Sequence, residues 1–319
     1  MSAAVQYDSH LVESTDGVTV AVHDFGGDGP TLLLAHATGF HGMVLLALAT
    51  ELRHSFRCIA FDQRGHGASG RPAGGSFTWD GFADDALAVV RAMDLDRPSG
   101  FGHSAGGAAL ILAEERCQGT FRDLFCYEPV VLDVAGPLPP EGLPDNPLTI
   151  AALKRQEIFA SRDVAFRNFS QKAPLSSISP SVLRQYVDYG LADLPGGGVG
   201  LKCRREDEAE IYAHGFAHDA FSNLDKITCP VALAYGERTE SIGAPFINAM
   251  AAKLAGATVL EMPNLGHLGP LEDPGACARA IAGWSGKAPV APPSVIPGRP
   301  PSQEPSAASP SRPTGAAAR

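Results

Sequence analysis

What the chain lacks narrows it first. No apolar run is long enough to cross a bilayer: stretches such as VLLALA, residues 44–49, fall far short of the roughly 20 residues that a spanning helix needs. The opening, MSAAVQYDSHLVESTDGVTV, has neither a basic stretch followed by an apolar core nor a small-residue cleavage site. No secretory leader is therefore expected, and a cytoplasmic location is. Six cysteines, Cys58, Cys117, Cys126, Cys203, Cys229 and Cys277, form no CxxC pair, and several lie in apolar segments. That pattern predicts buried free thiols in a reducing compartment rather than a disulfide framework. Basic residues are in deficit, 25 Lys and Arg against 35 Asp and Glu, and the net charge of −10 disfavours a nucleic-acid partner. The ten histidines show no spaced ligand cluster, so neither a metal nor another cofactor is expected.

What is present is the composition of a globular protein, 45% hydrophobic and 19% charged over 319 residues. The last stretch, 286–319, holds nine of the 26 prolines and almost no large apolar residue, which predicts a disordered Pro/Ala/Ser-rich tail. Before it, β-rich runs alternate with helical patterns. GVTVAVHDFG, TLLLAHA, FRCIAFD, SGFGHS, LFCYEP, VALAYGE and ATVLEMP read as strands, whereas Trp79, Phe82, Ala86 and Val90 fall at helical spacing, as do the apolar positions from Ala108 to Ala113. Such alternation predicts an α/β fold whose mostly parallel sheet is covered on both faces. It breaks once, from Val134 to Ala213, where loop prolines and amphipathic pieces such as LTIAALKRQEIFA and PSVLRQYVDYG replace the strands. The expected organisation is a core of residues 1–133 and 214–285 carrying a helical cap of residues 134–213.

Gly102-His103-Ser104-Ala105-Gly106 follows an apolar strand-like run and opens a helical one, the context that a Gly-x-Ser-x-Gly nucleophile elbow requires. Glycines leave room for a tight turn, and the turn holds the serine up at the carboxyl end of the sheet, where open α/β sheets bind ligands. A serine hydroxyl is a weak nucleophile and needs a base, usually an imidazole held by a carboxylate. His267, in PNLGHLGPLEDP, follows the last strand-like run and precedes a final helix beginning near Pro270.

With LLLAHATGFHG, FDQRGHGASGRP, GHSAGG and GHLGPLEDP in place, the chain resembles a cap-bearing α/β-hydrolase of the serine esterase and lactonase branch, over everything but the tail. The resemblance implies an eight-stranded sheet with the cap inserted after the sixth strand. It also implies Ser104 as nucleophile, His267 as general base, and backbone N–H groups of Thr38 and Ala105 as the oxyanion hole. Phe40, beside that hole, is a candidate for the pocket wall. His36, His66 and His103 read as structural, and Phe159, Phe166, Phe169 and Tyr186 belong either to the pocket or to the cap's own core.

The acid departs from the family pattern. The Gly-x-x-Asp turn after the seventh strand reads Gly236-Glu237-Arg238-Thr239, with threonine where the aspartate belongs. Glu128 ends the sixth strand, 24 residues after Ser104, a place where haloalkane dehalogenases and zearalenone-type lactonases of this superfamily carry the acid. Glu128 is the expected acid, with Glu240 and Glu237 as alternatives.

Serine in the elbow argues against chemistry that uses a carboxylate nucleophile, and points to acyl transfer from a small-molecule ester or lactone to water. Carbon–carbon hydrolysis or cofactor-free haloperoxidase activity on the same triad stays open. So does a catalytically dead small-molecule receptor, which the missing aspartate favours. A homodimer is compatible with the sequence.

Overall fold

The computed structural model describes residues 7–133 and 142–285. In chain order it holds β1 (Asp8–Glu13), β2 (Thr19–Asp24), β3 (Thr31–Ala35), α1 (Leu46–Leu52), β4 (Arg57–Phe61), α2 (Trp79–Ala92), β5 (Ser99–His103), α3 (Ala105–Arg116) and β6 (Asp123–Tyr127). An insertion follows with α4 (Pro147–Lys154), β7 (Ile158–Phe159), α5 (Arg162–Phe169), α6 (Pro180–Gly190), β8 (Leu191–Asp193), β9 (Val199–Leu201) and α7 (Arg205–Ala213). The chain returns through β10 (Val231–Gly236), α8 (Ala244–Ala251), β11 (Thr258–Met262), α9 (Gly269–Glu272) and α10 (Pro274–Ser285).

Eight strands form one sheet in the order β1-β2-β4-β3-β5-β6-β10-β11. The pairs β1/β2 and β2/β4 are antiparallel, and every other pair is parallel. The sequence dictates this through period-2 burial on both faces. In β3, Leu33 and Ala35 enter one core layer with α2 and α3, while Leu32 and Leu34 enter the opposite layer with α1 and α10. Helix α2 starts where the Thr78 hydroxyl accepts the Gly81 N–H at 3.2 Å, and it buries Trp79, Phe82 and Ala86 against the sheet.

Chain order reverses around β3: β4 lies on one side of it and β5 on the other. This switch point opens a crevice at the carboxyl ends of β3 and β5, so that the loops bearing Thr38 and Ser104 become neighbours.

The insertion differs from an all-helical one. Its strands β7, β9 and β8 form a separate antiparallel sheet, each only two or three residues long and too short for alternation to be legible. The amphipathic piece 148–160 accordingly splits into α4 and β7. Strand β1 also escaped the pattern, because five of its six residues are exposed and it reads as polar. The tail from 286 onward and residues 134–141 of the expected cap lie outside the described residues. Among the described residues no helix is long and apolar enough to cross a membrane.

Candidate active site

Ser104 sits at φ 53° and ψ −115°, a backbone conformation that costs a non-glycine residue energy and is held only by its surroundings. Those surroundings are specific. The Ser104 N–H donates to the Tyr127 carbonyl at 2.9 Å, and the Ser104 carbonyl accepts from Val130 at 3.2 Å. The elbow is thus fastened on both sides to the segment that continues β6. Gly106 explains its own motif position, since a Cβ there would lie 2.3 Å from the Ala35 carbonyl oxygen and 2.7 Å from that of His36. The start of α3 therefore touches the end of β3 backbone to backbone, which brings Ala105 to the loop carrying Thr38. Among the described residues the N–H groups of Thr38 and Ala105 take no acceptor.

Glu128 begins one residue beyond β6, fully buried and at φ 45°. Its N–H is fixed by the Ala234 carbonyl at 2.8 Å. The imidazole of His267 donates from Nδ1 to Glu128 Oε2 at 2.6 Å. A carboxylate only accepts, so Nδ1 carries a proton, and in the neutral ring the lone pair then lies on Nε2, the tautomer a general base requires. The other Glu128 oxygen, Oε1, accepts the Gly236 N–H at 2.9 Å. Glu237 instead caps the Asn264 N–H at 2.7 Å on the surface, and Glu240 is exposed, so neither alternative acid pairs with His267.

Buried histidines hold these loops. His103 donates from Nε2 to the main-chain oxygen of His267 at 2.8 Å, which ties the His267 loop one residue from Ser104. Tyr127 adds a bond from its hydroxyl to the Gly266 carbonyl at 2.8 Å. Burial, with His267 beside it, pushes His103 down to about 3, so it stays neutral in this role. His36 donates from Nδ1 to the Ala37 carbonyl at 2.8 Å and accepts the Gln63 N–H at 2.9 Å. Burial, reinforced by neighbouring His66, holds it near 3 as well. His66 accepts the Gly39 N–H at 3.0 Å and bonds the Arg64 carbonyl through Nδ1 at 2.9 Å. With both ring nitrogens committed, His36 and His66 shape the loop that carries Thr38.

Beyond Thr38 and Phe40 opens a cavity of about 310 Å³, roofed by the insertion. Phe169 and Tyr186 line it. Phe159 packs against Phe169 behind the wall, at 5.2 Å between ring centroids, and Phe166 lies under the Arg184 guanidinium at the surface. The cavity also holds charge that the sequence had not marked: Arg155, bonded to Glu208 and to the Tyr186 hydroxyl, and Lys154 and Lys172 at the exposed rim. Single charges in short helices and the turns beside them carry no signal of which face will be enclosed. Among the described residues no three His, Cys, Asp or Glu side chains converge to hold a metal ion.

A sequence profile of the alpha/beta hydrolase family matches residues 32–280. The chain belongs to that family. This alpha/beta hydrolase is 31% identical over 128 residues to the AB hydrolase superfamily protein YisY of Bacillus subtilis (strain 168), 40% of this chain and 46% of that protein. The match thus spans less than half of that relative's length. It is 23% identical over 270 residues to 2-(acetamidomethylene)succinate hydrolase of Mesorhizobium japonicum, covering 84% of this chain and 92% of that one. In solved structures, an E-2-(acetamidomethylene)succinate hydrolase superposes with a TM-score of 0.74 at 22% identity, over 88% of this chain and all of the other. An N-formylmaleamic acid deformylase from Pseudomonas putida S16 gives 0.66 at 18%, over 86% and 100%. At these identities the superpositions speak for the fold.

Proposed function

We propose that this hydrolase cleaves a small-molecule carboxylic ester or lactone through an acyl-enzyme. Ser104 Oγ attacks the carbonyl carbon while His267 Nε2 takes its proton, and Glu128 stabilises the imidazolium that forms. The oxyanion of the tetrahedral intermediate is received by the N–H groups of Thr38 and Ala105, which lie at the switch point and, for Ala105, at a helix N-terminus. His267 then returns the proton to the leaving group, and water, activated by the same imidazole, releases the acid. The observation that carries this reading is the Nδ1–H to Oε2 bond of 2.6 Å on a loop fastened beside a serine at φ 53°.

The insertion, residues 134–213, acts as the lid over the acyl pocket, and the substrate carries a carboxylate. Lys154 and Lys172 form no ion pair among the described residues, while Arg155 offsets Glu208, so the cavity is net positive on a chain whose net charge is −10. Such a local reversal of sign concentrates an anion. Two relatives, by name, act on a substituted succinate and on a maleamic acid. Six unpaired thiols fit a reducing cytoplasm.

The test is a burst of nitrophenolate from a short-chain 4-nitrophenyl ester with wild type and none with Ser104→Ala. Equal background rates for the two proteins end the proposal. The names of the same two relatives favour a second reading, release of an acyl group from nitrogen. A panel extended to N-formyl and N-acyl amides separates the bond classes.

A further inference from the structure

The threonine that replaces the expected aspartate is in the site. We propose that Thr239 is a positioning residue, whose hydroxyl locks the Glu128 carboxylate in the orientation that aligns His267 and tempers its pull on the imidazole proton. This inference rests on the reading of Ser104, His267 and Glu128 given above.

Its hydrogen-bond directions are determined by the partners. The Thr239 hydroxyl oxygen accepts the Ser241 N–H at 3.2 Å, and its own proton goes to Glu128 Oε2 at 2.8 Å, since a carboxylate can only accept. Oε2 is also the oxygen that takes the His267 Nδ1–H at 2.6 Å. Oε1 meanwhile is held by Gly236 at 2.9 Å, and the Thr239 N–H closes the same turn on the Gly236 carbonyl at 3.1 Å. The turn after β10 thus grips both oxygens of a carboxylate that belongs to β6. With Oε2 shared between two donors, the carboxylate can neither rotate about its last bond nor give its full charge to His267.

Two consequences separate this role from mere packing. Without the hydroxyl, Oε2 bonds the imidazolium alone, the protonated form of His267 gains stability, and the base becomes available only at higher pH. The carboxylate also gains freedom to swing, which lowers the plateau rate. Serine at this position keeps the donor and should restore both properties.

The experiment needs no knowledge of the natural substrate. Labelling by a fluorophosphonate probe, which phosphonylates an activated serine as its oxygen attacks phosphorus and fluoride leaves, is timed from about pH 5.5 to 9 for wild type, T239V, T239A and T239S, with folding checked by tryptophan fluorescence. T239V and T239A should label about tenfold more slowly at the plateau, the size expected for losing one hydrogen bond to a charged group. Their acid limb should move up by about half a unit, and T239S should return both values toward wild type. Low-field proton NMR should place the Nδ1–H of T239A further downfield. Whichever of T239V and T239A folds, a wild-type plateau with an unmoved acid limb overturns the proposal. Ser104→Ala is the separate control: unlabelled, it supports the nucleophile assignment, whereas labelling at the wild-type rate overturns the proposed function and this inference with it.

Discussion

Acidification from about pH 7.5 to about pH 5 should weaken the fold before any carboxylate is fully protonated, because its buried histidines resist taking a proton. His36 and His103 are held down to about 3 and His41 to about 4, burial being the largest cause for each, against an ordinary 6.5. Each is neutral in both folded and unfolded chain above 6.5, so its contribution is flat there. Below 6.5 the unfolded chain binds protons that the folded chain refuses, so stability falls steadily until the folded values are reached. At pH 5 the gap is about 1.5 units, or about 2 kcal/mol per residue, and the three together come to about 6 kcal/mol. Glu114, whose carboxyl burial raises, works in the opposite sense and offsets part of this. A net loss of about 3 kcal/mol or more is expected, against a typical total of 5–15 kcal/mol. Urea unfolding followed by tryptophan fluorescence reads it directly. Equal unfolding midpoints and slopes at the two pH values would refute the reasoning and mean that these imidazoles are hydrated.

Glu128→Gln should lower kcat on a nitrophenyl ester by about 10²- to 10⁴-fold with the thermal midpoint little changed, while Glu237→Gln and Glu240→Gln stay near wild type; the reverse order would reassign the acid. Gly106→Ala should destabilise the fold by about 3 kcal/mol in urea titration, because the added methyl meets backbone atoms that cannot yield. A variant as stable as wild type would show that α3 and β3 stand apart. Reversing both rim lysines, Lys154→Glu with Lys172→Glu, should cut the ratio of kcat/KM for an anionic over a neutral ester about tenfold at low salt, an effect that added salt erases. An unchanged ratio would remove the case for a carboxylate-bearing substrate.

The parts of this architecture legible in the sequence are those where a local pattern has one physical solution. Apolar runs such as TLLLA, alternating with helical patterns, fit strands buried on both faces. Glycines at 102 and 106 make sense only where a turn brings two backbones together, so the elbow could be read before any coordinates. That Glu128 stands at the end of β6, opposite His267, was anticipated only through the family resemblance. What stayed hidden depends on geometry between distant segments. Thr239 looked like the loss of an acid, because nothing local reveals that its hydroxyl meets a carboxylate on another strand. The strands of the insertion are shorter than one period of any readable pattern, and the charged cavity is assembled from α4, α7 and the stretch before α6.

Ser104 and Glu128 leave adjacent strands of a single ladder, in which His103 pairs with Tyr127. Their spacing is as rigid as the centre of the molecule. His267 arrives from the loop after β11, an edge strand of the sheet, anchored by its own carbonyl to His103 and by that of Gly266 to Tyr127. A local opening of that one margin would part His267 from Glu128 while the rest of the protein stayed folded.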